Sequence, residues 1–368
     1  MELVVRKQDL LRELQLFQGI VERKNTIPIL ANVLMEAKGE EVRMLATDLE
    51  VGLRSRCQAS VAKGGALTLP AKKLYEIIKA LPDTDIRIEL DSTTVTVAAD
   101  RFDSKMQTLP RDDFPSVPEG GDAAAVVIAG KPFRDMVART QFAITSEDTR
   151  YFLNGALLVL KGDSMTLVAT DGHRLALVTV PREGGTDEAE TRVILPKKTL
   201  LELSKLLAEQ DSDIRFEQGE NHLFFHVGDR LLISRKIDGQ FPAYERVIPR
   251  GNDKRVEFER DRITSAIRRV ALLSNERSRA VKLAIDPGKV EVTSSSPEFG
   301  EAHEVLSVEY AGAPLQICFN AQYVLDFLGV VETDGVALEL KDEVSQAVMR
   351  PVNAEGYDYT YVIMPMRI

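Results

Sequence analysis

An α+β fold of three repeated domains is predicted by three features of the sequence. A twenty-five-residue pattern occurs twice: Thr26-Ile27-Pro28-Ile29-Leu30-Ala31-Asn32 runs on to Leu45-Ala46-Thr47-Asp48, and Tyr151-Phe152-Leu153-Asn154-Gly155-Ala156-Leu157 runs on to Val168-Ala169-Thr170-Asp171. The copies lie 123 residues apart, a period that means duplicated domains rather than a solenoid of small units. A helix-opening dipeptide also recurs, at Leu69-Pro70, Leu195-Pro196 and Phe319-Asn320, spaced by 126 and 124 residues. Between these landmarks short runs of alternating polarity end in tight turns such as Asp91-Ser92, Asn221-His222 and Lys341-Asp342, the signature of antiparallel sheets.

Each domain opens with a short strand and a helix: 2–5 and 7–18, 125–129 and 131–141, 255–259 and 260–270. Apolar spacing such as Leu10, Leu14, Phe17 and Ile263, Ile267, Val270 makes these helices amphipathic. Pro132 fits a first helical turn. The recurring dipeptides then open second helices at 71–80, 197–207 and 321–329, with strands 86–90, 214–217 and 336–340 after them. Each domain is thus two strand–helix–strand units, and its two helices must cover one side of the sheets. The third copy has drifted, reading Val292-Thr293-Ser294 where the others read Ala-Thr-Asp. Segments 115–122 and 249–253, rich in Pro, Gly and charge, are linkers, so the domains span 1–120, 124–248 and 254–368.

The bulk numbers narrow the function. The chain has 368 residues, 44% hydrophobic, with a net charge of −10, which on its own argues against nucleic-acid binding. Cys57 and Cys318 stand in unrelated contexts and form no framework, so a reducing cytoplasm is expected. The first residues lack signal-peptide order, and no apolar run approaches the roughly 20 residues of a membrane span. Charge is segregated, however. The six predicted helices hold fifteen basic and seven acidic residues, a net +8 that leaves −18 for sheets and loops. Fields decay within about 8 Å at physiological salt, so a duplex against the helices would feel mainly the helices.

Geometry joins the repeat to the charge. A 120-residue domain has a radius of gyration of roughly 14 Å. Three such domains closed in a triangle leave a gap of only a few Å, whereas six in a hexagon leave roughly 25–30 Å, enough for a DNA duplex. One chain supplies three domains, so a head-to-tail homodimer is expected, with twelve helices facing the hole and sheets pairing across each boundary.

The chain resembles the bacterial replicative sliding clamps, the beta subunits of DNA polymerase III. The resemblance spans essentially the whole sequence. It is carried by Arg150-Tyr151-Phe152-Leu153-Asn154-Gly155, Ala169-Thr170-Asp171-Gly172-His173-Arg174-Leu175-Ala176, Asp238-Gly239-Gln240-Phe241-Pro242-Ala243-Tyr244 and Tyr361-Val362-Ile363-Met364-Pro365-Met366-Arg367-Ile368. It implies three clamp-type domains per chain, a dimeric ring and a processivity role without catalysis or cofactor. DNA contacts are expected from Lys24, Lys72, Lys73, Lys197 and Lys198, and from Tyr151 and Phe152, although Glu147 and Asp148 in the adjoining loop oppose a phosphate. The resemblance implies a partner-peptide groove built from Leu153, Thr170, Gly172, His173, Arg174, Leu175, Pro242, Arg246, Val247, Val344, Val362, Ile363, Met364, Pro365, Met366 and Arg367. Apolar pockets there would hold Leu or Phe anchors from the polymerase III catalytic subunit, the clamp loader, other polymerases and mismatch-repair proteins, with His173 and Arg174 as hydrogen-bond donors. Flexible methionines suit a surface that takes several ligands. Ring closure is assigned to Arg101 and Lys105 against Glu298, Glu301 and Glu304, around Leu272 and Leu273.

Two other readings lack support in the sequence. Asp171-Gly172-His173-Arg174 has no nucleophile elbow, phosphate loop, dinucleotide fingerprint or zinc motif to make it catalytic, and His222 and His226 lie in an alternating strand-like run. A non-catalytic DNA-binding regulator would carry a groove-reading helix, and no helix here clusters Asn, Gln and Arg on one face.

Overall fold

A computed structural model describes residues 1–21, 27–121, 125–145, 149–182, 190–210 and 212–367. Lys24, Glu147 and Asp148 lie outside the described residues. The six expected helices are present: α1 (Lys7–Phe17), α2 (Ala71–Ala80), α3 (Gly130–Thr140), α4 (Lys197–Glu209), α5 (Arg260–Ala271) and α6 (Ala321–Leu328). Each turns its apolar stripe inward, as Leu10, Leu14 and Phe17 of α1 and Ile263, Ile267 and Val270 of α5 show by their burial. Asn320 caps α6, its side-chain oxygen accepting from the backbone of Gln322 at 2.9 Å and Tyr323 at 3.4 Å. That cap satisfies donors that a helix start otherwise leaves open. No helix among the described residues is long and apolar enough to cross a membrane.

The strands form four antiparallel sheets, in two compact units. One unit comprises Met1–Arg134 with Lys198–Lys236. It holds a five-stranded sheet in the order Ser60–Lys63, Glu2–Arg6, Asp85–Asp91, Thr94–Ala99, Phe102–Gln107. Its eight-stranded sheet runs Val126–Ile128, Ile214–Gln218, His222–Val227, Arg230–Arg235, Val51–Gln58, Glu41–Thr47, Asn32–Lys38, Gly65–Pro70. The other unit comprises Asp135–Lys197 with Ile237–Ile368. It holds an eight-stranded sheet in the order Thr191–Pro196, Gly155–Leu160, Ser164–Thr170, Arg174–Pro181, Asp358–Ile363, Ala347–Pro351, Gly335–Leu340, Lys254–Glu259. A four-stranded sheet, Gly300–Ser307, Lys289–Ser296, Ala280–Asp286, Leu315–Asn320, completes it.

Sheets therefore run across the sequence repeats. Val51–Gln58 pairs with Arg230–Arg235, and Arg174–Pro181 pairs with Asp358–Ile363. Each junction hides backbone groups that an isolated repeat would expose.

The two junctions share one atomic plan. In the first, Asp48 accepts from the backbone of Glu50 and Val51, and the Thr47 hydroxyl accepts from Leu49 and donates to the Val51 carbonyl. In the second, Asp171 accepts from His173 and Arg174, and the Thr170 hydroxyl accepts from Gly172 and donates to the Arg174 carbonyl. The third residue of each turn has positive φ, 78° at Leu49 and 88° at Gly172. Glycine adopts that conformation freely and leucine only under constraint. The next backbone step matches too: Arg235 donates to the Glu50 carbonyl at 2.8 Å, as Met364 does to that of His173 at 2.9 Å. Thr-Asp recurs in the sequence because the pair builds this turn.

Candidate partner-peptide groove

Several residues expected to line the groove, Leu153, Leu175 and Val362, meet in a buried apolar cluster within the second unit. Strand Gly155–Leu160 is buried on both faces. Because side chains alternate, Leu157 and Val159 share one face, where they meet Leu153, Val168, Leu175, Leu177, Ile194, Val348 and Val362. Phe241 and Tyr244, from the segment that follows Ile237, close this cluster. The short 3-10 turn Tyr151–Leu153 drops Leu153 into it and leaves Tyr151 exposed. Thr170 and Ile363 are buried beside the junction.

The other residues expected in the groove are mixed in exposure. Val247, Val344 and Met364 are exposed, and Pro242, Pro365 and Met366 are half-buried. Residues 364–367 are held at both ends of their course, Met364 donating to the His173 carbonyl at 2.9 Å and Met366 to that of Cys318 at 2.8 Å. Val344, Met366 and Arg367 line a cavity of about 1020 Å³ together with Lys282, Glu291 and His303. Gly172, His173, Arg246 and Arg367 are exposed at the surface. Exposed thioether and branched side chains of this kind suit a surface that accepts a peptide.

Arg174 departs from its expected role as a donor to a ligand. Its side chain is 9% exposed, and each guanidinium nitrogen has a partner inside the chain. Nε donates to Asp171 at 3.1 Å, Nη1 to Asp326 at 2.5 Å and Nη2 to the Phe142 carbonyl at 2.6 Å. The guanidinium plane also lies over the Tyr323 ring, 4.3 Å from its centre. Those partners hold the cation charged despite the cost of burial.

The basic residues divide in the same way. Lys72 and Lys73 are exposed on α2, sharing Glu76 at 3.9 and 2.6 Å. Lys197 donates to the Ile144 carbonyl at 3.1 Å, and burial together with the Arg174 charge holds its amine below the ordinary lysine range. Lys198 donates to the Ile20 carbonyl at 2.9 Å and to Asp48 at 2.5 Å. Its ammonium is thus a tie onto the first Thr-Asp turn, a poor arrangement for gripping phosphate. Phe152 is half-buried against the apolar cluster, so only Tyr151 of that pair presents its ring to solvent.

The residues assigned to ring closure sit at two sheet edges. Arg101 and Lys105 are exposed on and beside edge strand Phe102–Gln107. Glu298 and Glu301 are exposed on and beside edge strand Gly300–Ser307. Glu304 is engaged by Arg269 within its own unit, in a two-pronged pair at 2.6 and 2.9 Å. Leu272 is 79% exposed, and Leu273 joins it with Phe299 and Leu325 around a cavity of about 760 Å³. Phe102, Phe299 and Val305 escaped the sequence reading, yet all three are exposed on or next to those edges. An aromatic or branched residue on the water side of an alternating edge strand was the available signal.

No group of three or more potential metal ligands occurs among the described residues. Both thiols are buried, and burial pushes Cys57 up to about 12 and Cys318 to about 11, so neither is a ready nucleophile. His222 and His226 lie on strand His222–Val227.

Profiles of the DNA polymerase III beta subunit match the chain in three consecutive pieces: the N-terminal domain at residues 1–118, the central domain at 127–243 and the C-terminal domain at 245–367. The beta sliding clamp of Pseudomonas aeruginosa is 40% identical over the full length of both chains, and that of Escherichia coli K12 is 35% identical, also over the full length of both. Among solved structures, a Pseudomonas aeruginosa sliding clamp bound to griselimycin superposes with a TM-score of 0.94 at 40% identity, covering all of both chains. A Bartonella birtlesii sliding clamp bound to griselimycin gives 0.95 at 36% identity, again over all of both chains. Three successive clamp domains, Thr-Asp turns at both junctions and full-length similarity to clamps place this chain in the beta sliding clamp family, the non-catalytic processivity subunits of DNA polymerase III.

Proposed function

We propose that two copies of this chain close head to tail into a cytoplasmic ring of six domains that encircles duplex DNA without reading its sequence. The observation that carries this reading is a pair of sheet edges, one in each unit, with exposed charge and exposed apolar groups. Strand Phe102–Gln107 ends a five-stranded sheet and strand Gly300–Ser307 ends a four-stranded one. Such edges pair readily with another chain unless they are blunted. Here the first carries Arg101 and Lys105 beside Asp100 and Asp103, and the second carries Glu298 and Glu301, so Arg101 and Lys105 are the groups that would face the glutamates. Exposed Phe102 on one edge has apolar counterparts near the other in Leu272, Leu273 and Phe299, which line one cavity. Exposed ion pairs contribute only about 0–1 kcal/mol each, so strand pairing and the apolar contacts dominate closure. Lys72 and Lys73 are the described candidates for phosphate contact, with Tyr151 beside them in role.

The groove around Leu153, Leu175, Val362 and Met364 would then tether partners by short motifs with Leu or Phe anchors: the polymerase III catalytic subunit, the clamp loader, other polymerases and mismatch-repair proteins. Binding of griselimycin by two relatives supports a ligand-accepting clamp surface. Sedimentation tests the assembly: the mass is expected near twice 40.9 kDa, and Phe102→Glu combined with Leu272→Asp is expected to return it to 40.9 kDa. A wild-type chain that stays at the single-chain mass would overturn the ring.

A further inference from the structure

We propose that Asp326, acting through Arg174, is a positioning residue that sets the rim of the partner-peptide groove. The inference rests on the groove reading above and adds a residue that touches no part of the groove's apolar lining. Arg174 ends the turn of Asp171, Gly172 and His173 that forms one rim, and its Nη1 meets Asp326 of α6 at 2.5 Å. The second oxygen of Asp326 accepts from Gln322 at 2.7 Å, so the carboxylate is oriented from its own helix. A third tie runs from Nη2 of Arg174 to the carbonyl of Phe142.

The molecule supplies its own comparison. The turn at Thr47, Asp48 and Val51 makes the same side-chain-to-backbone bonds as the turn at Thr170, Asp171 and Arg174. Val51 occupies the place of Arg174, and there the cation on the turn's aspartate is Lys198, whose ammonium meets Asp48 at 2.5 Å. A nearly buried cation is costly to desolvate and is tolerated only when well paired. What Arg174 adds is attachment of the second turn to α6 and to Phe142. The consequence reaches the tail, because the His173 carbonyl receives the Met364 amide and the His173 ring lies 6.5 Å from that of Tyr323. Tyr361, two residues before Ile363, donates its hydroxyl to the Tyr323 carbonyl at 2.9 Å. One helix, α6, thereby braces the turn and the tail paired to it as a single rim. Holding that rim in place before binding removes an ordering cost from the complex.

The test uses the full-length chain and a fluorescent synthetic peptide carrying leucine and phenylalanine anchors. One variant is the double change Arg174→Val with Asp326→Ala, which removes the buried cation together with its partner and leaves Asp171 the backbone amides of residues 173 and 174. It is expected to keep the thermal midpoint of the wild type within a few degrees while weakening peptide binding about tenfold or more. Asp326→Asn keeps an acceptor for Arg174 and is expected to retain affinity within about threefold. Asp326→Ala alone is expected to weaken binding about as much as Arg174→Val alone, and the two together no further, since residues that act as one unit are non-additive; Asp326→Ala that binds like wild type would refute the role. Deleting residues 364–367 is expected to abolish binding. Survival of binding after that deletion would remove the groove reading and the proposal with it. If the deletion abolishes binding but the double variant binds within about twofold of wild type, the groove stands and the positioning role is refuted.

Discussion

Single residues in this chain are often committed before any ligand arrives. Glu13 on α1 and Arg230 on strand Arg230–Arg235 form a buried two-pronged pair, Nη2 to Oε1 at 2.7 Å and Nε to Oε2 at 3.0 Å. Both side chains are under a tenth exposed. They come from the first and second sequence repeats, so the pair bolts the junction within the first unit. Breaking it is expected to be far worse than replacing it. Glu13→Ala should lower stability by about 3–5 kcal/mol in denaturant unfolding, because the Arg230 charge is then buried alone. Replacing both, as Glu13→Leu with Arg230→Met, should recover most of that loss, since apolar side chains of similar volume serve a dry site well. Equal losses in the single and double variants would contradict this account. None of this pairing was legible in the sequence. The identities of Arg174, Lys197 and Lys198 suggested ligands at a surface, but side-chain direction depends on partners far along the chain, such as Asp326, Phe142 and Asp48. Periodicity carries no such information.

Elements were far more legible. All six helices follow from apolar spacing of three and four, and the recurring Pro or Asn before α2, α4 and α6 marks their starts. The Thr-Asp pairs were visible as repeats, and the structure supplies their reason, a turn closed by an aspartate and a threonine on their own backbone. Strand partners were less legible. Val51–Gln58 pairs with Arg230–Arg235 across more than a hundred residues, and alternation gives a strand's faces but not its neighbours. The apolar cluster of Leu153, Leu175 and Val362 is gathered from distant segments, and nothing in the pattern around Phe241 and Tyr244 signals that they pack into it. At this scale α2 makes a separate claim about DNA. Lys72 and Lys73 are the exposed pair, whereas Lys197 and Lys198 are held by internal acceptors. Lys72→Ala with Lys73→Ala should therefore reduce loading onto DNA severalfold at about 0.15 M salt and leave dimer mass unchanged, because phosphate contacts by lysine dominate non-specific affinity. The change Lys198→Ala should instead appear chiefly as lost stability, through the freed Asp48 carboxylate. Equal loading defects for the two would refute that division.

For the whole molecule the central claim is topological. The proposed ring, closed through the edges at Phe102–Gln107 and Gly300–Ser307 and the exposed apolar groups beside them, would hold DNA by enclosure. Tethering of that kind tolerates weak, sequence-blind phosphate contacts and so permits sliding. The overall charge of −10 is no obstacle, since exposed charges beyond a Debye length are largely screened. Retention on circular against linearised DNA tests the claim most directly. After loading, the protein should stay on a nicked circle through gel filtration at high salt and be lost once a single cut opens the circle. Equal retention on both forms, or loss from both, would contradict enclosure.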